Sequence, residues 1–214
     1  MSKIKALAAI ATLATMALLP LQAAAKGSAE AGATKAAVCV ACHGINGNSV
    51  NPEWPSLAGQ NAAYIAEQIR LYKANKRLNP NMNPQAAAIP DADIEDIAAY
   101  YASLTPTGLE ADPSYWQAGE KLYRAGDAKR AIPACQACHG PVGRGNPGAG
   151  FPAVRAQHSV YTVKQLNDYA AQNRYRDAEG KVQQSRNGRM MVDITSRLTA
   201  EDIRNLASYI QGMR

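Results

Sequence analysis

Apolar residues recur at spacings of three and four along much of this chain, as they do on one face of an α-helix. Within the segment 62–74, for example, Ile65, Ile69 and Tyr72 share one face. No segment shows the convincing alternation of apolar and polar residues that indicates a β-strand. The pattern therefore predicts an all-α fold, with helices over residues 28–38, 62–74, 91–104, 114–124 and from about 199 towards the end of the chain.

The residues at two helix starts add detail to this pattern. Asp112 and Pro113 predict the N-cap and the first position of the helix over 114–124. Thr199, with Asp202 three residues later, predicts a capping box at the start of the last helix. Between the helices lie segments rich in Gly, Pro and Asn, such as 140–150. So much irregular chain indicates a fold that wraps around something.

The two halves of the chain repeat the same blocks in the same order. They are Cys-x-x-Cys-His-Gly at 39–44 and 135–140, an aromatic residue and proline opening 54–60 and 151–157, and a methionine with the following helix at 82–100 and 191–209. The second block continues through Tyr64 and Gln68 in one half and Tyr161 and Gln165 in the other. Repetition of these blocks in the same order indicates one copy of a duplicated domain in each half. The second copy has about twelve extra residues around 175–186, a polar stretch that predicts a surface loop.

The beginning of the chain has the features of a targeting segment. Residues 1–25 combine a positively charged start, a short apolar stretch and small residues at the end, which is typical of a secretory signal peptide. The alternative, an uncleaved membrane anchor, is disfavoured because the apolar run is short and stops at Pro20. We expect a signal peptide over 1–25, an N-terminal domain over 26–105, a linker over 106–113 and a C-terminal domain over 114–214.

Composition and charge narrow the function. Aromatic residues make up only 6% of the 214 residues, so each small domain has few large side chains, and we expect another group to help fill its core. Although the net charge is +6, no dense basic run is interleaved with aromatic residues, which argues against a nucleic-acid partner. Residues 26–109 carry a net charge of −1 and residues 110–214 a net charge of +5. This asymmetry favours docking of the second domain on acidic or membrane-surface partners; the alternative is an ordinary solvated face.

All four cysteines belong to the two repeated motifs. In an exported protein, Cys-x-x-Cys-His is the attachment signature of a c-type haem: the thiols form thioethers and the histidine supplies an axial nitrogen to the iron. The motif predicts two covalently bound c-type haems, attached through Cys39, Cys42, Cys135 and Cys138, with His43 and His139 as axial ligands. A four-cysteine zinc site would need more closely spaced pairs, and a thioredoxin-like pair would need a preceding strand. Plain disulfides would leave the repeated histidine unexplained.

Methionine is the natural second axial ligand, because only three histidines exist and two are already assigned. Met82 is the only methionine of the first half after the signal peptide, and it lies in a polar segment where we expect no apolar helical face for it to join. In the second half, the repeat selects Met191, with Met190 as the alternative. His158 aligns with Asn61 and is expected to be a helix-entry or surface residue.

The chain resembles the dihaem cytochrome c4 family over essentially its whole mature length. The resemblance covers both motifs, the methionine blocks, the two terminal helices and the segments Trp54-Pro55 and Phe151-Pro152. The resemblance implies two class I cytochrome c domains related by an approximate twofold axis, with the haem propionates facing one another near the domain boundary. It also implies that His43 and Met82 bind one iron and His139 and Met191 the other. The carbonyls of Pro55 and Pro152 are then expected to accept the Nδ1 protons of the two histidines.

The same resemblance implies a periplasmic electron carrier, not an enzyme, that passes single electrons from a respiratory donor to a terminal oxidase. Its partners would be redox proteins, with peripheral membrane association as a further expectation. One alternative is the dihaem subunit of a periplasmic dehydrogenase, which is chemically the same protein with a fixed partner. Another is a dihaem peroxidase, which needs one iron with an open position and is disfavoured because each half offers a matched methionine.

Overall fold

The computed structural model describes residues 27–182 and 185–214, so the predicted signal peptide lies outside the described residues. Within these ranges the chain is helical and its β-structure is limited to three isolated bridges, which confirms the all-α prediction. The first half contains α1 (Ala29–Lys35), α2 (Val40–His43), α3 (Ala62–Lys73), α4 (Met82–Ala88) and α5 (Ile94–Ser103). The second half contains α6 (Trp116–Ala125), α7 (Gln136–His139), α8 (Ser159–Ala170), α9 (Arg186–Thr195) and α10 (Ala200–Gly212).

Each half is built on a crossing of its first and last long helices, α1 with α5 and α6 with α10. A glycine lies at each crossing. A Cβ atom on Gly32 would lie 2.0 Å from the carbonyl oxygen of Asp96, and one on Gly119 would lie 2.0 Å from that of Asn205. Only glycine therefore permits the two helix backbones to come this close. The third long helix, α3 or α8, packs on the crossing.

Each half has its own hydrophobic core. In the first half, isoleucines of α3 and α5 pack around the fully buried Tyr101. In the second half, Leu206 and Ile210 of α10 pack with the fully buried Tyr123 of α6. Several residues at the edges of the two clusters, Met82 and Leu166 among them, also line a large cavity, so part of each core borders this cavity.

The capping box predicted for the last helix is confirmed, since the Thr199 side chain accepts from the Asp202 N–H and the Asp202 carboxylate accepts from the Thr199 N–H. The predicted start of α6 is wrong, because this helix begins at Trp116, with Tyr115 as its N-cap. The Asp112 carboxylate accepts instead from the N–H of Ser114 at 2.8 Å. Asp112 is itself held by the Ser208 hydroxyl on α10, so a turn precedes the helix.

The extra segment of the second half is not simply the surface loop that its polarity predicts. Tyr175 is 5% exposed, and its ring lies beside that of Tyr169. The guanidinium of Arg174 lies over both rings. At the other end, Arg186 is the first residue of α9. Stacking of a cation on two aromatic rings thus draws the start of this segment inwards.

The segment between α5 and α6 is hydrogen-bonded to both halves. The N–H of Thr107 donates to the Asn48 side chain in the first half at 2.8 Å. The Gln211 side chain in the second half donates to the carbonyl of Glu110 at 2.6 Å.

Across the ranges that the structure describes, no helix is long and apolar enough to cross a bilayer.

Candidate haem sites

Each Cys-x-x-Cys-His motif folds into a single helical turn. The first cysteine precedes the turn, and the second cysteine and the histidine lie on it, in α2 for Cys42 and His43 and in α7 for Cys138 and His139. All four thiols are free of disulfide bonds. Since residues three apart lie on one side of a helical turn, both thiols of each pair line the same cavity as the histidine.

Each motif histidine is fixed by one backbone carbonyl. His43 Nδ1 lies 2.8 Å from the carbonyl oxygen of Pro55, and His139 Nδ1 lies 2.9 Å from that of Pro152. Because a carbonyl can only accept, the proton must be on Nδ1, and the lone pair of Nε2 is available to a metal. Burial lowers the pKa of both imidazoles below the usual value, which keeps them in the neutral form that binds metals.

Met82, Met190 and Met191, the candidate ligands from the sequence, all line the same cavity. The surroundings of Met82 differ from those expected. The expectation that Met82 has no apolar helical face to join is wrong: it is the first residue of α4 and packs, partly buried, against the first core. The Asn79 side chain accepts from the Met82 N–H at 2.9 Å, which lets a helix begin inside a segment rich in Asn and Pro. Met190 and Met191 lie on α9, and both line the cavity.

The cavity is continuous across both halves and has a volume of about 870 Å³. Two arginines at equivalent positions of the repeat, Arg77 and Arg174, line it and are only 6% and 5% exposed. Arg77 donates to Tyr161 and Gln165 of the other half, and Arg174 donates to Tyr64.

Neither guanidinium has a carboxylate partner among the described residues, and Nε and Nη1 of Arg174 have no hydrogen-bond partner there. Burying a guanidinium group without a charged partner is costly, so an anion nearby would stabilise both of them. A haem brings two propionates, so the cationic wall, the thiols and the apolar lining of the cavity all fit this group.

Several residues that form the contact between the halves were not recognised from the sequence. His158 is the N-cap of α8, which confirms the expectation of a helix-entry residue. The alternative expectation of a surface residue is wrong, because the side chain is only 7% exposed. Its Nε2 lies 2.7 Å from the carbonyl oxygen of Ser49 in the other half. Two repeated pairs, Gln60 with Gln157 and Arg77 with Arg174, were also not recognised as contacts between the halves. The available signal was the strict repetition of these polar pairs at one spacing, which no amphipathic pattern requires.

Comparison with known proteins identifies the family. The family model described as cytochrome c matches residues 29–105 and 116–214. Cytochrome c4 of Stutzerimonas stutzeri is 41% identical over 198 residues, which cover 88% of this chain and 90% of that protein. The chain belongs to the cytochrome c4 family. The crystal structure of reduced recombinant cytochrome c4 from Pseudomonas stutzeri matches with a TM-score of 0.79 and 40% identity, over 88% of this chain and 100% of the other.

As a cytochrome c4 family member, the chain is a dihaem electron-transfer protein of two tandem cytochrome c domains with two covalently bound c-type haems. This confirms the fold and the cofactors expected from the sequence. A more distant relative, the thiosulfate dehydrogenase electron acceptor of Thiomonas intermedia, is 36% identical over 162 residues. That match covers 73% of this chain and 74% of the relative.

Proposed function

We propose that this cytochrome c4 family member is a periplasmic carrier, and not an enzyme, that takes single electrons from a respiratory donor and passes them to a terminal oxidase. The proposal assigns His43 and Met82 as the axial ligands of one haem iron, and His139 and Met191 as those of the other. Cys39, Cys42, Cys135 and Cys138 are assigned as the sites of covalent attachment. Export by cleavage after residue 25 is part of the same proposal.

One observation carries the ligand assignment: each half has a histidine fixed by a proline carbonyl and a methionine on the wall of the same cavity. Each bound haem supplies a one-electron ferric/ferrous couple. With an imidazole and a thioether both bound to it, the iron would have no position for dioxygen or peroxide, which argues against peroxidase chemistry. Thioether ligation also favours the ferrous state, so both potentials are expected to be high for c-type haems.

The ligand assignment is tested by the weak far-red absorption band of ferric haem with a methionine ligand. We expect Met82→Ala and Met191→Ala each to remove about half of the band, because each variant leaves the other haem intact. Met213→Leu is the matched control, since Met213 is a buried core residue of the second half that does not line the cavity. It should keep the full band.

Two outcomes would change the assignment. Loss of half of the band in Met190→Leu, with the band retained in Met191→Ala, would make Met190 the ligand. Binding of carbon monoxide to the unmodified ferrous protein under mild conditions would indicate an open iron position and would contradict the carrier proposal in favour of a peroxidase.

A second candidate function is the electron-accepting partner of a dehydrogenase, and the similarity to the thiosulfate dehydrogenase electron acceptor favours it. The two functions share the same haem chemistry and differ only in the donor. Stopped-flow reduction of the oxidised protein by a thiosulfate dehydrogenase and thiosulfate, compared with reduction by a respiratory quinol oxidoreductase, separates them. The faster donor at equal concentration identifies the function.

A further inference from the structure

Each proline carbonyl that holds a motif histidine belongs to a peptide group whose N–H is also hydrogen-bonded. The carbonyl oxygen of Pro55 lies 2.8 Å from His43 Nδ1, and the N–H of the same peptide group, on Ser56, donates to Gln157 Oε1 at 2.9 Å. Gln157 belongs to the other half of the chain. A histidine of the first half is therefore connected through one peptide group to a side chain of the second.

The same arrangement is repeated in the opposite direction. His139 Nδ1 lies 2.9 Å from the Pro152 carbonyl oxygen, and the N–H of this peptide group, on Ala153, donates to Gln60 Oε1 at 2.8 Å. Gln60 and Gln157 occupy equivalent positions of the repeat. Their amide nitrogens also donate across the boundary, to the carbonyls of Ala153 and Ser56 at 2.8 and 2.9 Å. Each amide is thus held at both ends.

Hydrogen bonds at the two ends of one peptide group strengthen each other. When the N–H donates to a glutamine oxygen, the peptide is polarised and its carbonyl becomes a better acceptor. A better acceptor at Nδ1 raises the basicity of the imidazole as a ligand. A more basic imidazole favours the ferric over the ferrous state, so the glutamine is expected to lower the potential of the haem that the histidine binds.

We propose that Gln60 and Gln157 are positioning residues that tune the haem of the opposite domain, each through the proline peptide that holds the axial histidine. The inference rests on the proposed ligation by His43 and His139. It makes the potential of each haem depend on the contact between the domains. Any partner that shifts one domain against the other would then alter both potentials without touching either haem.

The test uses the intact dihaem protein and measures both potentials by spectroelectrochemistry. Gln157→Leu is expected to raise the potential of the N-terminal haem alone, and Gln60→Leu that of the C-terminal haem alone. At a fixed applied potential, the ferrous-to-ferric ratio of the affected haem should rise by up to about twofold, because polarisation of the peptide passes on only a part of the free energy of one net hydrogen bond. Met82→His, which replaces the thioether and lowers the potential, identifies the N-terminal haem in the titration.

His158→Phe is the matched control, because it removes a neighbouring hydrogen bond between the domains, to the Ser49 carbonyl, which does not belong to the peptide group that holds His43. It should leave both potentials unchanged, even if it lowers the thermal stability. Unchanged potentials in the glutamine variants, a shift at the haem of the same domain, or an equal shift in His158→Phe would overturn the proposal. Failure of the proposed ligation by His43 is recognised separately, because the visible spectrum of the N-terminal haem would then be unchanged in His43→Ala.

Discussion

At the scale of single residues, the backbone directly after each motif histidine has a conformation that strongly favours glycine. Gly44 has φ 81° and ψ 154°, and Gly140 has φ 80° and ψ 160°. Residues with a side chain are strained by about 1–3 kcal/mol in this region. The sharp change of direction lets the chain return to the proline that holds the histidine, so the geometry of the site depends on both glycines.

The two glycines have nearly the same backbone conformation but different surroundings, so comparing them separates backbone strain from steric contact. A Cβ on Gly44 would lie 2.1 Å from the carbonyl oxygen of Asn48, whereas the nearest atom to a Cβ on Gly140 is 3.9 Å away. We expect Gly140→Ala to lower the free energy of unfolding by about 1–3 kcal/mol and Gly44→Ala to lower it by more. Denaturant unfolding of the haem-loaded protein measures both losses. Equal losses would show that the Asn48 carbonyl moves aside without cost.

At the scale of the element, α10 shows how a helix start is tied to the rest of its domain. Asp202 closes the capping box with Thr199 and also accepts from Arg130, whose Nη1 lies 2.5 Å and Nη2 3.2 Å from the carboxylate oxygens. Arg130 and the Thr199 donors together hold the pKa of Asp202 below its usual value. The first turn of α10 is therefore bound both to its own cap and to the segment before the second haem motif.

Asp202→Asn is expected to lower the free energy of unfolding by about 1 kcal/mol at pH 7, because it removes the negative charge that pairs with Arg130, whereas the Asn side chain can still accept from the Thr199 N–H. Because the pKa of Asp202 is lowered in the folded protein, its contribution is complete above the pKa of the unfolded chain and is lost as the pH falls through the folded value. The difference between the parent protein and the variant should thus shrink below about pH 4. Glu201→Gln, which removes an exposed charge from the same turn, is the control.

A constant difference from pH 7 down to about pH 3 would contradict this account, because it would mean that the charge of Asp202 does not contribute. Denaturant titrations at a series of pH values, with both variants measured in parallel, provide the comparison. Neighbouring carboxylates titrate in all three proteins, so their effects largely cancel in the differences.

At the scale of the whole molecule, the two domains share one cavity, and the boundary between them is polar. Reciprocal glutamines, Asn61 and His158 bond to backbone carbonyls across it, while Arg77 and Arg174 reach into the opposite domain. Without bound haem, the apolar lining of the cavity would face water, and the two buried guanidinium groups would have only neutral partners among the described residues. Both conditions are unfavourable, which makes the haems part of the structure that holds the domains together.

We expect the chain with all four cysteines replaced by alanine, produced without haem, to show no cooperative thermal unfolding transition in far-ultraviolet circular dichroism. The physical reason is that the two small cores end at the cavity and are too small to stabilise the fold alone. The variant with only Cys135 and Cys138 replaced is the comparison, and it should retain a transition from the N-terminal domain. A cooperative transition in the cysteine-free chain would contradict the structural role of the haems.

Much of this protein follows from local sequence. Residues close together in the chain determine the helical periodicity, the Thr199 capping box and the two Cys-x-x-Cys-His motifs, so these can be predicted without a structure. The duplicated domain can be predicted too, because the same local blocks recur in both halves. The sequence left Met190 and Met191 as alternatives, and the cavity leaves both in place, because adjacent residues of one helix reach the same wall.

What only the tertiary structure decided involves residues about 100 positions apart. The start of α6 differs from the prediction because Ser208, 96 positions away, holds Asp112. Tyr175 lies inside because Arg174 stacks over its ring and also donates to Tyr64, 110 positions away. The links from Gln157 to the peptide of His43, and from Gln60 to that of His139, exist only when the two domains face each other. Sequence patterns report which side chains a segment offers, whereas hydrogen bonds between distant backbone groups depend on how the domains are packed together.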